Sequence, residues 1–377
     1  MLSLNNPLLW RGLLLSLTAV AFFLFLAWWL YRSPLSTPVA VADATSPRLA
    51  VWLAALLSLS ALQLTIGALW DASMHLQTGE IPAGADFLWP PHIMIYSSFL
   101  FSLLVGLAAI GVIAVPNWQV GMRDPRCWVR GHPYVGAVAV ASLYMILALP
   151  GDAVWHEIVG IDLTAWSPPH LMIGLTNAAV MVSAAGLLTR ARQQMRQQGL
   201  ANIAVILLLA LMLNVVYLIG VLEWEIPNGG AHLSRPVWLY PVVAGGLAFF
   251  TLLLAKHLVP YRWTATVLTG LFYCLRLSIM AGLSVTENVV PALPALFILG
   301  AILMDLVMDW PQLIAPAFVA GYVALAFPLL NSTSNVRGFG LVEALIATAW
   351  LLSVSIVSHP LVYTLVRRLL LSESEST

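Results

Sequence analysis

Two stretches of this chain set carboxylates and imidazoles at spacings that suit metal ligation. In the first, Asp71 and His75 stand four residues apart, followed by Gly79, Trp89, Pro90, Pro91, His92 and Met94. In the second, Asp152 and His156 have the same spacing, followed by Gly160, Trp166, Pro168, Pro169, His170 and Met172. Asp, His, Gly, Trp, Pro-Pro, His and Met thus recur in one order, with a shorter connection in the second copy. On a helix, residues four apart share a face, one turn above the other. Pro-Pro opens the next helix, where a missing N–H costs nothing, and puts the following histidine in its first turn. Each hairpin can therefore converge one carboxylate and two imidazoles. Asp71, His75 and His92 form one candidate ligand set, and Asp152, His156 and His170 the other. Such a set leaves coordination positions open for water, dioxygen or substrate. A lone Asp-x-x-x-His at a helix end is more often a hydrogen-bonded interfacial pair; the ordered duplication favours ligation. The spacing fits two mononuclear sites or one dinuclear centre equally well.

Pro150-Gly151, just before Asp152, is expected to break or kink its helix and re-aim the ligands. The first copy has no such break. Glu157 and Asp162 are candidates to orient the imidazoles or relay protons, with exposed loop acids as the equal alternative. Met94 and Met172 read as packing residues rather than soft ligands.

The elements that must position these residues are membrane spans. The 377 residues are 61% hydrophobic and 8% charged, whereas a soluble domain carries about a quarter charged residues to hydrate its surface. Runs of roughly 20 apolar residues cross a core about 30 Å thick. Eleven are expected, near 12–30, 49–70, 89–114, 134–156, 168–189, 201–222, 236–256, 262–284, 291–309, 311–330 and 339–366. The runs are continuous rather than alternating, which selects an all-α polytopic bundle over a barrel. Residues 1–30 read as an anchored helix, because the run ends in Trp28-Trp29-Leu30-Tyr31-Arg32 rather than a small-residue cleavage site. The domain reading is 1–48 for the first helix and its loop, 49–132 and 133–200 for the two His hairpins, 201–310 for two degenerate hairpins, and 311–377 for the last helices and tail.

Arg32, Arg48, Arg123, Arg126, Arg130, Arg190, Arg192, Arg196, Lys256, Arg262, Arg367 and Arg368 fall in alternate loops on one side. By the positive-inside rule that side is cytoplasmic. The amino terminus and both candidate metal sites then face outward, and the carboxy terminus inward. Trp70, Trp89, Trp155, Trp166, Trp224 and Trp238 collect at the outer boundary and read as an aromatic belt. A bacterial cytoplasmic membrane is the expected location.

Arg276 and Asp305, at similar depth in adjacent spans, are expected to pair and hide two charges from lipid. His132 and His257 read as solvated, and His359 as bonding a carbonyl freed by Pro360. Cys127 and Cys274 offer neither a CxxC pair nor a disulfide. The net charge of zero provides no basic patch for nucleic acid.

Asp152-x-x-x-His156, with His170 following after thirteen intervening residues, resembles, over that one hairpin, the intramembrane copper motif in the C subunit of particulate methane and ammonia monooxygenases. The resemblance implies Asp152, His156 and His170 as copper ligands. The first copy departs from the motif in its longer separation of His75 from His92. The stretch also looks like uncharacterised bacterial membrane proteins with Asp-x-x-x-His…Ser-Pro-Pro-His. The expectation is therefore a membrane metalloprotein, with copper favoured over iron or zinc, performing oxidative chemistry on a small or lipophilic substrate as a monooxygenase-like oxidoreductase. Its electrons would come from a partner subunit or a lipid-soluble quinol. The alternatives are copper or zinc handling or transport, and a structural or assembly subunit of a membrane complex.

Overall fold

The computed structural model describes residues 46–78, 88–115, 126–159, 165–225 and 235–371, with scattered positions between 14 and 32 and positions 119 and 124. Within the helices, the side chains of His75, His156 and Glu157 lie outside the described residues, as does the whole of Asp162. Every regular element among the described residues is helical. In chain order they are α1 (Pro47–Thr78), α2 (Pro90–Ala114), α3 (Arg126–Gly131), α4 (Pro133–Val159), α5 (Pro168–Ala191), α6 (Gln198–Glu225), α7 (Leu239–Leu258), α8 (Thr264–Val285), α9 (Ile298–Leu306), α10 (Pro311–Ala326), α11 (Leu330–Thr333) and α12 (Leu341–Leu371). Nine helices among the described residues are long and apolar enough to cross a membrane. They coincide with nine of the eleven expected spans, and the described positions between 14 and 30 are helical too. The protein is an all-α polytopic membrane bundle.

Proline starts many of these helices. Pro47, Pro90, Pro133, Pro168 and Pro311 each stand at the first helical position, where φ is already set and no N–H bond is lost. Ser46 completes the start of α1 by accepting the Leu49 N–H at 3.2 Å. Pro150 does not break its helix, since α4 runs through it to Val159. Apolar packing around the helix outweighs the one missing hydrogen bond.

Contacts divide the chain into two compact units, 1–64 with 82–196, and 65–81 with 197–377. In the first unit α4 packs against both α2 and α5. A Cβ on Gly106 of α2 would stand 2.9 Å from the Ala139 Cα of α4, so glycine is what lets these backbones meet. The Ser60 hydroxyl of α1 donates to the Ser98 carbonyl of α2 at 2.7 Å. Arg130 donates to the carbonyls of Leu30 at 2.5 Å and Trp29 at 3.2 Å, a cation meeting the carbonyl end of the amino-terminal helix.

In the second unit α7 packs on α6 and α12, and α9 on α10. Gly300 and Gly321 touch at backbone distance: a Cβ on Gly321 would lie 2.7 Å from the Gly300 nitrogen. The carboxy-terminal part of α1, from Thr65 on, belongs to this unit, with Leu69 buried against Leu218 and Leu283.

The expected helix over 291–309 is replaced by something else. Residues 288–297 form no regular element, and only Ile298–Leu306 is helical. Pro291 and Pro294 explain the break, because each removes an N–H and disfavours helix at the residue before it. The segment still travels the whole length of α8. The Ala292 N–H donates to Glu225 O at the end of α6, while Asp305 bonds Thr266 in the first turn of α8. The 22 residues of α8 rise about 33 Å at 1.5 Å each. The crossing is therefore half irregular and half helix, and α8 with this segment is not a simple helical hairpin.

Candidate functional site

The second hairpin brings two of its three predicted ligands together. Asp152 lies about two turns before the end of α4, and His170 in the first turn of α5, as the Pro168-Pro169 start requires. Their facing atoms, Asp152 Oδ1 and His170 Nε2, are 3.8 Å apart, with side-chain exposures of 12% and 33%. That separation is too long for a hydrogen bond. It does fit a shared metal: bonds of about 2.0–2.2 Å to each donor allow donor separations up to about 4.3 Å. His156 follows Asp152 by one helical turn on the same helix, and its side chain lies outside the described residues. Ser167, the residue before α5, is buried, so the start of α5 is anchored in the first unit.

The first triplet is distributed differently. Asp71, half-buried, lies in the portion of α1 that belongs to the second unit. There the neighbouring Ser73 hydroxyl donates to the Val289 carbonyl, and Gln77 donates to the Glu287 carbonyl at 3.3 Å. His92 belongs to the first unit and is buried. Its ring lies 5.7 Å from that of Trp89, edge-on, and 5.6 Å from that of Tyr96. His75 lies outside the described residues, as do Glu157 and Asp162 with their proposed proton roles. Among the described residues no three His, Cys, Asp or Glu side chains gather as a metal-holding group.

A second polar cluster was not anticipated as such. Arg276 on α8 and Glu225 at the end of α6 are both fully buried and pair at 2.6 Å. The expected Arg276–Asp305 pair does not form. Asp305 instead pairs with Lys256 at 2.6 Å and accepts from Thr266 N and Oγ1, each at 2.8 Å, and from Ala265 N at 3.3 Å. It thereby caps the positive end of α8, which has no side-chain cap of its own. Depth alone suggested the wrong partner, since the broken segment carries Asp305 to the far end of α8.

Around Glu225 and Arg276 the hydroxyls serve the irregular segment 288–297. Tyr217 OH accepts from Ala295 N at 2.8 Å. Tyr273 OH donates to Ala295 O at 2.7 Å and accepts from Phe297 N at 2.8 Å. Leu293 N donates to Thr333 O at 3.1 Å. These groups replace the ladder that Pro291 and Pro294 forbid, as buried backbone demands. Tyr240 OH donates to Glu225 Oε1 at 3.3 Å. Nearby, Arg235 pairs with Glu223 at 2.9 Å, and burial draws the Arg235 guanidinium below its ordinary value against the opposing pull of Glu223.

No family model, curated protein or solved structure matches this chain.

Proposed function

We propose that this integral membrane protein is a metalloprotein whose site is the second hairpin, with Asp152, His156 and His170 as ligands and copper as the metal. The observation that carries the reading is the approach of Asp152 Oδ1 to His170 Nε2 at 3.8 Å, a spacing that suits a metal bridge and not a hydrogen bond. The likeness of this hairpin to the copper motif of the monooxygenase C subunits supports the choice of metal. Copper held there would supply redox chemistry at coordination positions left open to dioxygen or a small or lipophilic substrate. The protein's own contribution is orientation. Pro168-Pro169 fix the start of α5 and hence His170, and α4 fixes Asp152 and the backbone of His156 at a constant one-turn spacing. Asp152 brings the negative charge that offsets the metal's.

Elemental analysis of detergent-purified protein beside an Asp152→Ala/His156→Ala/His170→Ala variant tests this. The expected outcome is copper near one equivalent in the wild type and none in a variant that keeps its helical circular dichroism. Equal, near-zero metal in both after reconstitution with copper, iron and zinc overturns it. Zinc or iron in place of copper keeps the site and overturns the metal assignment.

A further inference from the structure

The Glu225–Arg276 pair has more donors than its surroundings use. Arg276 is fully buried; its Nη2 donates to Glu225 Oε2 at 2.6 Å, while Nε and Nη1 have no hydrogen-bond partner among the described residues. An unused donor in a dry interior keeps the full cost of its desolvation, and a charged group costs more. A buried ion pair is already weak as a stabilising device compared with apolar packing. The pair also stands beside the one described crossing that is not helical throughout. Irregular backbone at membrane depth is tolerated where protein buries it or where it lines a cavity, and broken crossings recur at solute sites in transport proteins. The hydroxyls of Tyr217 and Tyr273 serve the irregular segment's backbone at Ala295 and Phe297. Nothing in that accounting requires a charged pair.

We propose that Arg276 is the binding group for a small monovalent carboxylate, and that Glu225 takes up a proton when the anion binds. The open donors select an acceptor, and a guanidinium matches the planar, two-oxygen geometry of a carboxylate. Charge balance then fixes the proton. With Glu225 ionised the pair is neutral, so an anion alone would leave a net negative charge buried, at high cost. The titratable groups that face the pair are Tyr217 on α6, Tyr240 on α7, Tyr273 on α8 and Tyr322 on α10. Phenols cannot lose charge they do not carry, and arginine does not deprotonate in proteins. Glu225 is therefore the group that neutralises. Its protonation also frees Nη2, so the ligand gains a paired edge of the guanidinium. The net event is uptake of one carboxylate and one proton, with no bond made or broken in the ligand. This site is independent of the metal reading.

The test uses the full chain in lipid nanodiscs, titrated calorimetrically with sodium formate and sodium acetate in two buffers of different ionisation enthalpy. The expected result is one anion bound with one proton taken up, and affinity falling about tenfold per pH unit as pH rises. Glu225→Gln, which keeps an oxygen for Arg276, is expected to bind without proton uptake and without that pH dependence. A Glu225→Gln/Arg276→Gln double variant removes both charges together, so it leaves no lone buried ion, and is expected to bind neither anion. Absence of binding by the wild type, binding without proton uptake, or binding that persists in the folded double variant each overturns the proposal.

Discussion

The two units handle ionisable groups in opposite ways. In the first, a buried Asp152 and a partly exposed His170 stand 3.8 Å apart, close enough to share a third body and too far to satisfy each other. In the second, Glu225 and Arg276 are sealed from solvent and in contact at 2.6 Å. The first arrangement forgoes less stability if His170 is lost, because a third of that side chain is already in solvent. The second commits the fold to both charges at once. A ligand-ready pair and a charge-committed pair can thus occupy one membrane protein, and exposure decides which is which.

Three changes sharpen or break that contrast. The largest effect is expected from Arg276→Ala, which strands the Glu225 carboxylate in the interior; loss of one member of a buried pair costs about 3–5 kcal/mol. His170→Ala is expected to cost under about 1 kcal/mol, as for partly exposed pairs. Thermal unfolding of both variants in the same detergent compares them directly, and equal losses would erase the distinction between the units. Next is Gly321→Ala, whose new Cβ would meet the Gly300 backbone at 2.7–2.8 Å. Forcing α9 and α10 apart is expected to cost about 1–3 kcal/mol, again read by thermal unfolding. Gly270→Ala, where a Cβ meets nothing within 4 Å, is the control and is expected to be close to neutral.

The smallest effect concerns Asp124, outside the spans. Hydrogen bonds from Arg126, at 2.6 and 2.7 Å, hold its carboxyl below the usual 3.8. Because the folded value is depressed, the contribution is complete above the ordinary carboxylate value and disappears as pH falls through the depressed one. Asp124→Asn is expected to flatten a stability-against-pH curve in that acid range and to leave neutral pH nearly unchanged. A variant curve that tracks the wild type below pH 3.8 would remove Asp124 from the account.

Much of the fold was legible because lipid imposes a simple rule on composition. Continuous apolar runs had to become helices, and nine did so where expected. The repeated hairpin was legible for a related reason: Pro-Pro fixes a helix start, and the adjacent histidine follows from it. The break at 288–297 was also written in the chain, in Pro291 and Pro294, but apolarity there outvoted the prolines. Glu225 carried a weaker signal. Its partner lies 51 residues away, on a helix whose rotation no local pattern reports.

The sequence by itself determined that this protein lives in a membrane as a helical bundle, and that Asp152 and His170 open toward one another across a turn. Those outcomes depend on solvent transfer and local backbone geometry, which act over a few residues. Only the tertiary structure decided that Arg276 meets Glu225, that Lys256 meets Asp305, and that Asp71 and His92 belong to different units. Such pairings depend on how helices are rotated and how far a broken segment carries its residues, quantities fixed by packing of the whole unit.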